Sequence, residues 1–222
     1  MTGIRLVFLG PPGTGKGTQA QRLSQTHGWA ALSSGDVLRK EIRDGSDIGK
    51  QAAQYVEAGT LVPDEVITGV MLSAIDKLPA GRGFILDGFP RTLPQAETLA
   101  RGLGQRGRPL DAVLDLRMGD EQIVRRIVGR RVCSACGATY NMDFSRPKAA
   151  GVCDSCGGAL SQRVDDREDV IVTRLETYRS QTAPLVEYYS RQGLLHVVDA
   201  SGDPDTVAGE VARIVASLDR SA

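Results

Sequence analysis

Nine residues near the start of the chain, Gly10 to Thr18 (G-P-P-G-T-G-K-G-T), constrain the fold more than any others. They follow Ile4–Leu9, a short apolar run of strand character, and precede a helical pattern over Gln19–His27. Strand, glycine-rich loop and helix in this order form a turn whose backbone N–H groups converge on an anion. The helix N-terminus adds its positive end, and Lys16 can bridge outer phosphates. A turn that merely joins strand to helix is the bland alternative, and the intact flanks argue against it. Gly13, Thr14, Gly15, Lys16, Gly17 and Thr18 are therefore expected to hold a polyphosphate. The general pattern places Ser or Thr directly after the lysine; here Gly17 intervenes, and Thr18 supplies the hydroxyl expected to meet Mg2+.

A chain of 222 residues predicts one main domain with an insertion or two. No apolar run approaches the roughly 20 residues that span a bilayer. The N-terminus runs into the loop without a small-residue cleavage site, so a cytoplasmic location away from the membrane is expected. Lys and Arg total 27 against 27 Asp and Glu, which removes the bulk electrostatic case for nucleic acid. Any anion site must then be a local arginine cluster. His27 and His196, the two histidines, read as surface or packing residues.

Along the chain, Trp29–Leu32 is a short apolar piece leading to Ser33, Ser34 and a helix over Asp36–Arg43. The stretch Asp44–Val62 is polar and glycine-punctuated, too small for its own core, and reads as a mobile helical flap. Pro63 and Asp64 open a further helix, over Glu65–Lys77, on the N-cap logic of Pro and Asp at a helix start. Gly83–Leu86 is a buried strand running into D-G-F-P-R at Asp87–Arg91. In a parallel sheet this strand end falls beside the phosphate loop, with Asp87 toward magnesium and Arg91 toward a phosphate. Further on come a helix over Pro94–Gln105, a strand over Ala112–Leu116 and a helix over Asp120–Val128. Arg126 and Arg130, four apart, are expected to share a helix face and reach one anion, with a solvated basic face as the alternative. A long helix over Val170–Arg191 is expected to kink or divide at Pro184, before a strand over Leu194–Val198 and a helix over Pro204–Leu218.

Between Val132 and Leu160 the character changes. Cys133-x2-Cys136 and Cys153-x2-Cys156 are 16 residues apart, the spacing of a zinc ribbon. Four thiolates close a tetrahedral metal, predicting a structural Zn2+ site, with iron or cobalt also compatible. Two disulfides compete, but nothing suggests an oxidising compartment.

The chain resembles adenylate kinases of the long bacterial type with a metal-binding lid. The matching stretches are residues 10–18, S-G-D-V-L-R at 34–39, L-V-P-D at 61–64, L-D-G-F-P-R-T at 86–92 with Gln95, R-I-V-G-R-R at 126–131 and R-V-D-D-R at 163–167. The resemblance implies an α/β P-loop nucleoside monophosphate kinase fold: a five-stranded parallel sheet with helices on both faces, a small NMP-binding flap and a zinc-ribbon-like lid. It places the core at 1–32, 63–128 and 167–222, the flap at 33–62 and the lid at 129–166. It implies ATP + AMP = 2 ADP with Mg2+, acting on ATP, AMP and ADP in a monomer. Lys16 and the loop amides would hold the ATP phosphates. Arg39 and Arg91 would hold the AMP phosphate. Ser34, the segment Thr60, Leu61 and Val62, the turn Gly88, Phe89 and Pro90, and Gln95 would form the AMP site. Arg126, Arg163 and Arg174 would close around the transferring phosphoryl group, while Arg130, Thr139 and Tyr140 would cover the ATP side. The rival readings are a UMP/CMP or GMP kinase and, remotely, a nucleotide-regulated nucleic-acid binder that reads with its zinc ribbon.

Overall fold

The computed structural model describes residues 3–219; positions 1–2 and 220–222 of the expected core spans lie outside the described residues. The chain builds a five-stranded parallel sheet in the order β2-β3-β1-β4-β8, from β1 (Arg5–Leu9), β2 (Ala30–Ser33), β3 (Phe84–Asp87), β4 (Ala112–Arg117) and β8 (Leu195–Asp199). Register brings Phe8 opposite both Asp87 and Leu114, so the C-terminal ends of β1, β3 and β4 share one edge. Parallel strands need crossovers, and here helices supply them on both faces.

Alternation along β1 sorts the core. Val7 and Leu9 pack with Phe84, Leu86 and Val113 against α4 (Asp64–Asp76), α5 (Leu93–Gln105) and α8 (Pro184–Arg191), where Met71, Leu99 and Leu185 are buried. Leu6 and Phe8 pack with Ile85, Leu114 and Val198 against α1 (Lys16–His27) and α9 (Pro204–Asp219), through Ala20, Val207 and Val211. Truncating Leu99 or Met71 to Ala would cost about 2–5 kcal/mol. His27 stacks on Trp29, ring centroids 4.4 Å apart.

Two pieces project from the strand edge. Helices α2 (Ser34–Asp44) and α3 (Asp47–Ala58) pack on each other, each capped by a serine hydroxyl, Ser33 and Ser46. Gly59 ends α3 at φ 71°, and a Cβ there would lie 2.8 Å from Val170 Cγ1 and 2.9 Å from Arg174 Cγ. The second piece follows α6 (Asp120–Val128): β5 (Arg130–Cys133) pairs antiparallel with β6 (Thr139–Asn141) and β7 (Leu160–Ser161). Its core is small, Cys133, Tyr140 and Cys153 with Ala138 and Leu160. A 3-10 turn, Val164–Asp166, leads back into α7 (Glu168–Thr177).

Two expectations change. Helix α6 stops at Val128 with Gly129 beyond it, so Arg130 lies on a strand and shares no helix face with Arg126. The expected long helix is divided by a π-helical segment, Tyr178–Thr182, before Pro184 opens α8, where its missing N–H costs no helix bond. Pro63 and Asp64 do open α4 as expected, and the Asp64 carboxylate, rather than capping the helix, accepts from Thr92 Oγ1 (2.8 Å) and Gln95 Nε2 (2.6 Å), fastening α4 to α5. No helix among the described residues is long and apolar enough to cross a membrane.

Candidate active site and metal centre

A cleft of about 870 Å³ opens along the strand edge, between the α2–α3 piece and the three-stranded piece. Its floor is the glycine loop. Gly10 (φ 131°) has no room for a side chain, since a Cβ would sit 2.3 Å from the Leu116 carbonyl. Gly15 precedes α1 in a left-handed conformation without any side-chain cap, so the first N–H groups of α1 keep their donors for a ligand. Lys16 Nζ folds back to donate to the carbonyls of Gly10 (2.9 Å) and Pro11 (2.7 Å).

Lys16 is the electrostatic centre. Burial lowers its pKa to about 8; Asp87 opposes that shift, and Arg91, Arg174 and Arg130 add to it. Arg91 is lowered to about 10 by burial and then by Arg174. Arg163 is also lowered to about 10, by burial, Arg39 and Arg130. Five guanidiniums, those of Arg39, Arg91, Arg130, Arg163 and Arg174, thus crowd one region. Carboxylates hold four of them in place, all but Arg91. Arg130 Nε donates to Asp166 (2.7 Å), and Arg174 Nη1 reaches Asp165 (3.1 Å) and Asp166 (3.2 Å). Arg39 bridges Asp36 (2.6 Å) and Asp165 (3.6 Å), while Arg163 lies 3.6 Å from Asp36. Burial would raise Asp36 and Asp165, but the arginines outweigh it and keep both below the ordinary range. The protein leaves Arg163 Nε and Asp165 Oδ1 buried without a partner.

The expected binding residues line this cleft from Gly13 through Thr18, at Ser34, Arg39, Thr60, Leu61, Val62, Gly88, Pro90, Arg91 and Gln95, and at Arg126, Arg130, Thr139, Tyr140, Arg163 and Arg174. Phe89 does not. It is fully buried and packs in the core beneath the turn. The Gly88 carbonyl accepts from both Ser34 Oγ (2.7 Å) and Arg91 Nε (2.7 Å), which fixes the turn against α2. Gln95 Oε1 accepts from the Arg91 N–H (2.7 Å) while its Nε2 donates to Asp64, leaving one N–H and one lone pair for a ligand. Arg126 stands apart from the arginine group. It donates to the carbonyls of Ala200 (3.2 Å) and Gly202 (3.0 Å) and lies 5.8 Å from the Phe144 ring.

Several groups in or behind the cleft wall have no role assigned from the sequence. Asp36, Asp165 and Asp166 are acids beside arginines in S-G-D-V-L-R and R-V-D-D-R, and that adjacency was the available signal. Phe144 and Ser201–Pro204 close the far end of the cleft; the resemblance to adenylate kinases implies a loop at Asp199–Asp203 beside the ATP adenine, although it lacks the usual glycine directly after the acid, whereas no motif marks Phe144.

For Mg2+, the fit rests on Asp87. Its Oδ2 lies 3.2 Å from where a Gly17 Cβ would stand, beside the first turn of α1 that carries Thr18, and a hard cation takes such oxygens. The four cysteines are free of disulfides, and their sulfurs all lie within 4.8 Å of one another. Cys133–Cys156 and Cys136–Cys153 are 3.5 and 3.6 Å apart, near the roughly 3.8 Å edge of a tetrahedron with 2.3 Å metal–sulfur bonds. A bond from Tyr140 lowers the Cys153 pKa to about 6, with help from the N–H groups of Ser155 and Cys156. This donor set suits zinc. The Tyr140 hydroxyl is engaged inside the lid, 3.5 Å from Cys153 Sγ and 2.7 Å from the Asp154 N–H.

The adenylate kinase family model matches residues 8–194, spanning loop, cleft and cysteine centre. The chain belongs to the adenylate kinase family. It is 43% identical to an adenylate kinase of Methanosarcina barkeri over 212 residues, covering 96% of this chain and 98% of that protein. An adenylate kinase of Thermodesulfovibrio yellowstonii is 45% identical over 212 residues, 96% of this chain and 99% of that one. One from Geobacter sp. strain M21 is 45% identical over 208 residues, 94% and 97%. Its function is accordingly that of an adenylate kinase, a phosphotransferase.

Proposed function

We propose that this adenylate kinase moves the terminal phosphoryl group of ATP reversibly to AMP, giving two ADP, as a cytoplasmic monomer. The observation that carries the reading is the convergence on Lys16 of Arg91, Arg130 and Arg174 from the turn after β3, the lid and α7. The acceptor is already an anionic phosphate oxygen, so the reaction needs charge neutralisation rather than a general base. A loose transition state spreads charge over equatorial oxygens, and positioned cations contribute several orders of magnitude in rate.

The roles follow from position. Lys16 leaves its loop carbonyls for the ATP phosphates, joined by the amides of Gly13–Thr18. Arg39 and Arg91 hold the AMP phosphate, with Ser34, Thr60–Val62, Gly88, Pro90 and Gln95 around its nucleoside. Arg163 and Arg174 meet the transferring group, and Arg130 with Thr139 covers the ATP side. Arg126, held by the Ala200 and Gly202 carbonyls, serves the nucleoside end of ATP beside Phe144. Asp87 and Thr18 would hold Mg2+, which supplies neutralising charge on the ATP phosphates. The flap, residues 33–62, and the lid, residues 129–166, exclude water when they close over the cleft. The four cysteines hold a structural Zn2+.

Measuring transfer from ATP to AMP, UMP, CMP and GMP, with metal analysis of the same sample, tests this reading. AMP is expected to be the preferred acceptor; equal use of UMP or GMP would overturn the specificity.

A further inference from the structure

Strand β6 is three residues long and faces three surroundings. Thr139 lines the cleft, the Tyr140 hydroxyl reaches the sulfur cluster, and Asn141 Nδ2 donates to the Arg126 carbonyl at 2.8 Å. Beside it runs β5, with Arg131 opposite Tyr140 and Val132 opposite Thr139, ending on Cys133. Cleft wall, cysteine centre and the last turn of α6 are thus joined through one short strand.

The hydrogen count at Tyr140 is informative. Its Oη accepts from the Asp154 N–H at 2.7 Å, so its own hydrogen is free to point at Cys153 Sγ, 3.5 Å away. A metal-bound cysteine is a thiolate and carries no hydrogen, so with metal present this bond is donated by the tyrosine. The residue is 8% exposed, which limits competition from water. The bland reading is a lid core residue whose hydroxyl has found a convenient partner.

We infer that Tyr140 is a positioning residue that orients the Cys153 thiolate on the metal and links metal retention to the neighbouring cleft, so that bound ATP slows loss of the metal. This rests on the proposed metal centre and ATP site. A ligand held by Thr139 fixes β6, and a fixed β6 keeps the tyrosine hydroxyl on the sulfur. Linkage makes the effect reciprocal: whatever factor the metal adds to ATP affinity, ATP adds to metal affinity. Outer partners of metal ligands typically govern about 10–100-fold in affinity.

The test uses the full zinc-loaded chain and follows zinc transfer to a chromophoric chelator, with and without saturating Mg-ATP and no acceptor. Tyr140→Phe keeps the ring and removes the hydroxyl. In the wild type, ATP is expected to slow zinc release by about fivefold or more. In Tyr140→Phe, release is expected to be about 10–100-fold faster and indifferent to ATP. Cobalt-loaded protein gives a second readout: the thiolate-to-cobalt absorption shifts in Tyr140→Phe while the melting of the parallel-sheet core does not. Zinc release from Tyr140→Phe at the wild-type rate, or faster release that ATP still slows, overturns the inference. A wild type that purifies without metal overturns the reading of the cysteines beneath it, and metal analysis tells the two failures apart.

Discussion

Arg39 and Asp165 face each other at 3.6 Å, joining α2 to the turn that leads out of the lid. The same Asp165 oxygen lies 3.1 Å from Arg174, so one buried carboxylate serves arginines from two elements. The cationic cluster is thereby held together by the protein's own acids.

Asp165→Asn should therefore destabilise the nucleotide-free protein by about 3 kcal/mol, because it leaves buried arginines short of counter-charge. The folded-state pKa of Asp165 is lowered, so its contribution is full above the ordinary carboxylate range and is lost as pH falls through the lowered value. Urea denaturation of both proteins at neutral pH and at pH 3 measures this. Equal stability at neutral pH would remove the carboxylate from the account.

Lys16→Met should lower turnover by about two to four orders of magnitude while leaving the melting temperature nearly unchanged. The lysine's charge is disfavoured by burial, and an apolar chain of similar length escapes that cost. Steady-state kinetics and thermal melting check the pair. Turnover within threefold of wild type would sink the role.

Nucleotide binding should take up protons at alkaline pH. Free Lys16 has a pKa near 8, and a polyphosphate beside it pulls that value back up, so at pH 8 binding recruits about half a proton. In the free protein the sign is the reverse of the usual lysine case: the unfolded chain binds more protons between pH 8 and 10.5, so this group adds stability as pH rises through that window. Calorimetric titration with ATP in buffers of different ionisation enthalpy reads the uptake directly. Heats independent of buffer would contradict it.

Metal removal by chelation, or Cys153→Ser, should lower the melting temperature and expose residues 132–160 to protease, with only a modest fall in activity at low temperature. The lid's core is a handful of residues, too few to stand without the metal, whereas Lys16, Arg39, Arg91 and Arg174 lie outside it. A metal-free protein that stays protease-resistant but loses all activity would instead point to a catalytic ion.

Periodicity and punctuation made most elements legible. The short apolar run Ile4–Leu9 and the loop that follows predict β1 and α1, and the cysteine spacing predicts the cluster whose sulfurs do converge. What escaped was long-range or depended on one residue. The end of α6 at Val128 is legible, but arginines favour helix as readily as strand, so nothing in R-R-V-C reveals that a hairpin strand begins at Arg130 and takes it off the face of Arg126. The π-helical segment at Tyr178–Thr182 has no local signature. The pairing of Tyr140 with Cys153 joins residues 13 positions apart across a turn-rich stretch, and only the folded lid brings them together.

Gly59 acts as a missing doorstop. At φ 71° and with Val170 and Arg174 directly against it, this bare backbone is where α3 comes to rest on α7. How closely the end of α3 approaches α7 is thus decided by an atom the residue does not have. An added methyl would press on Val170 and on the stem of Arg174 together, so a position with no chemistry of its own sets the spacing between α3 and an arginine of the cleft.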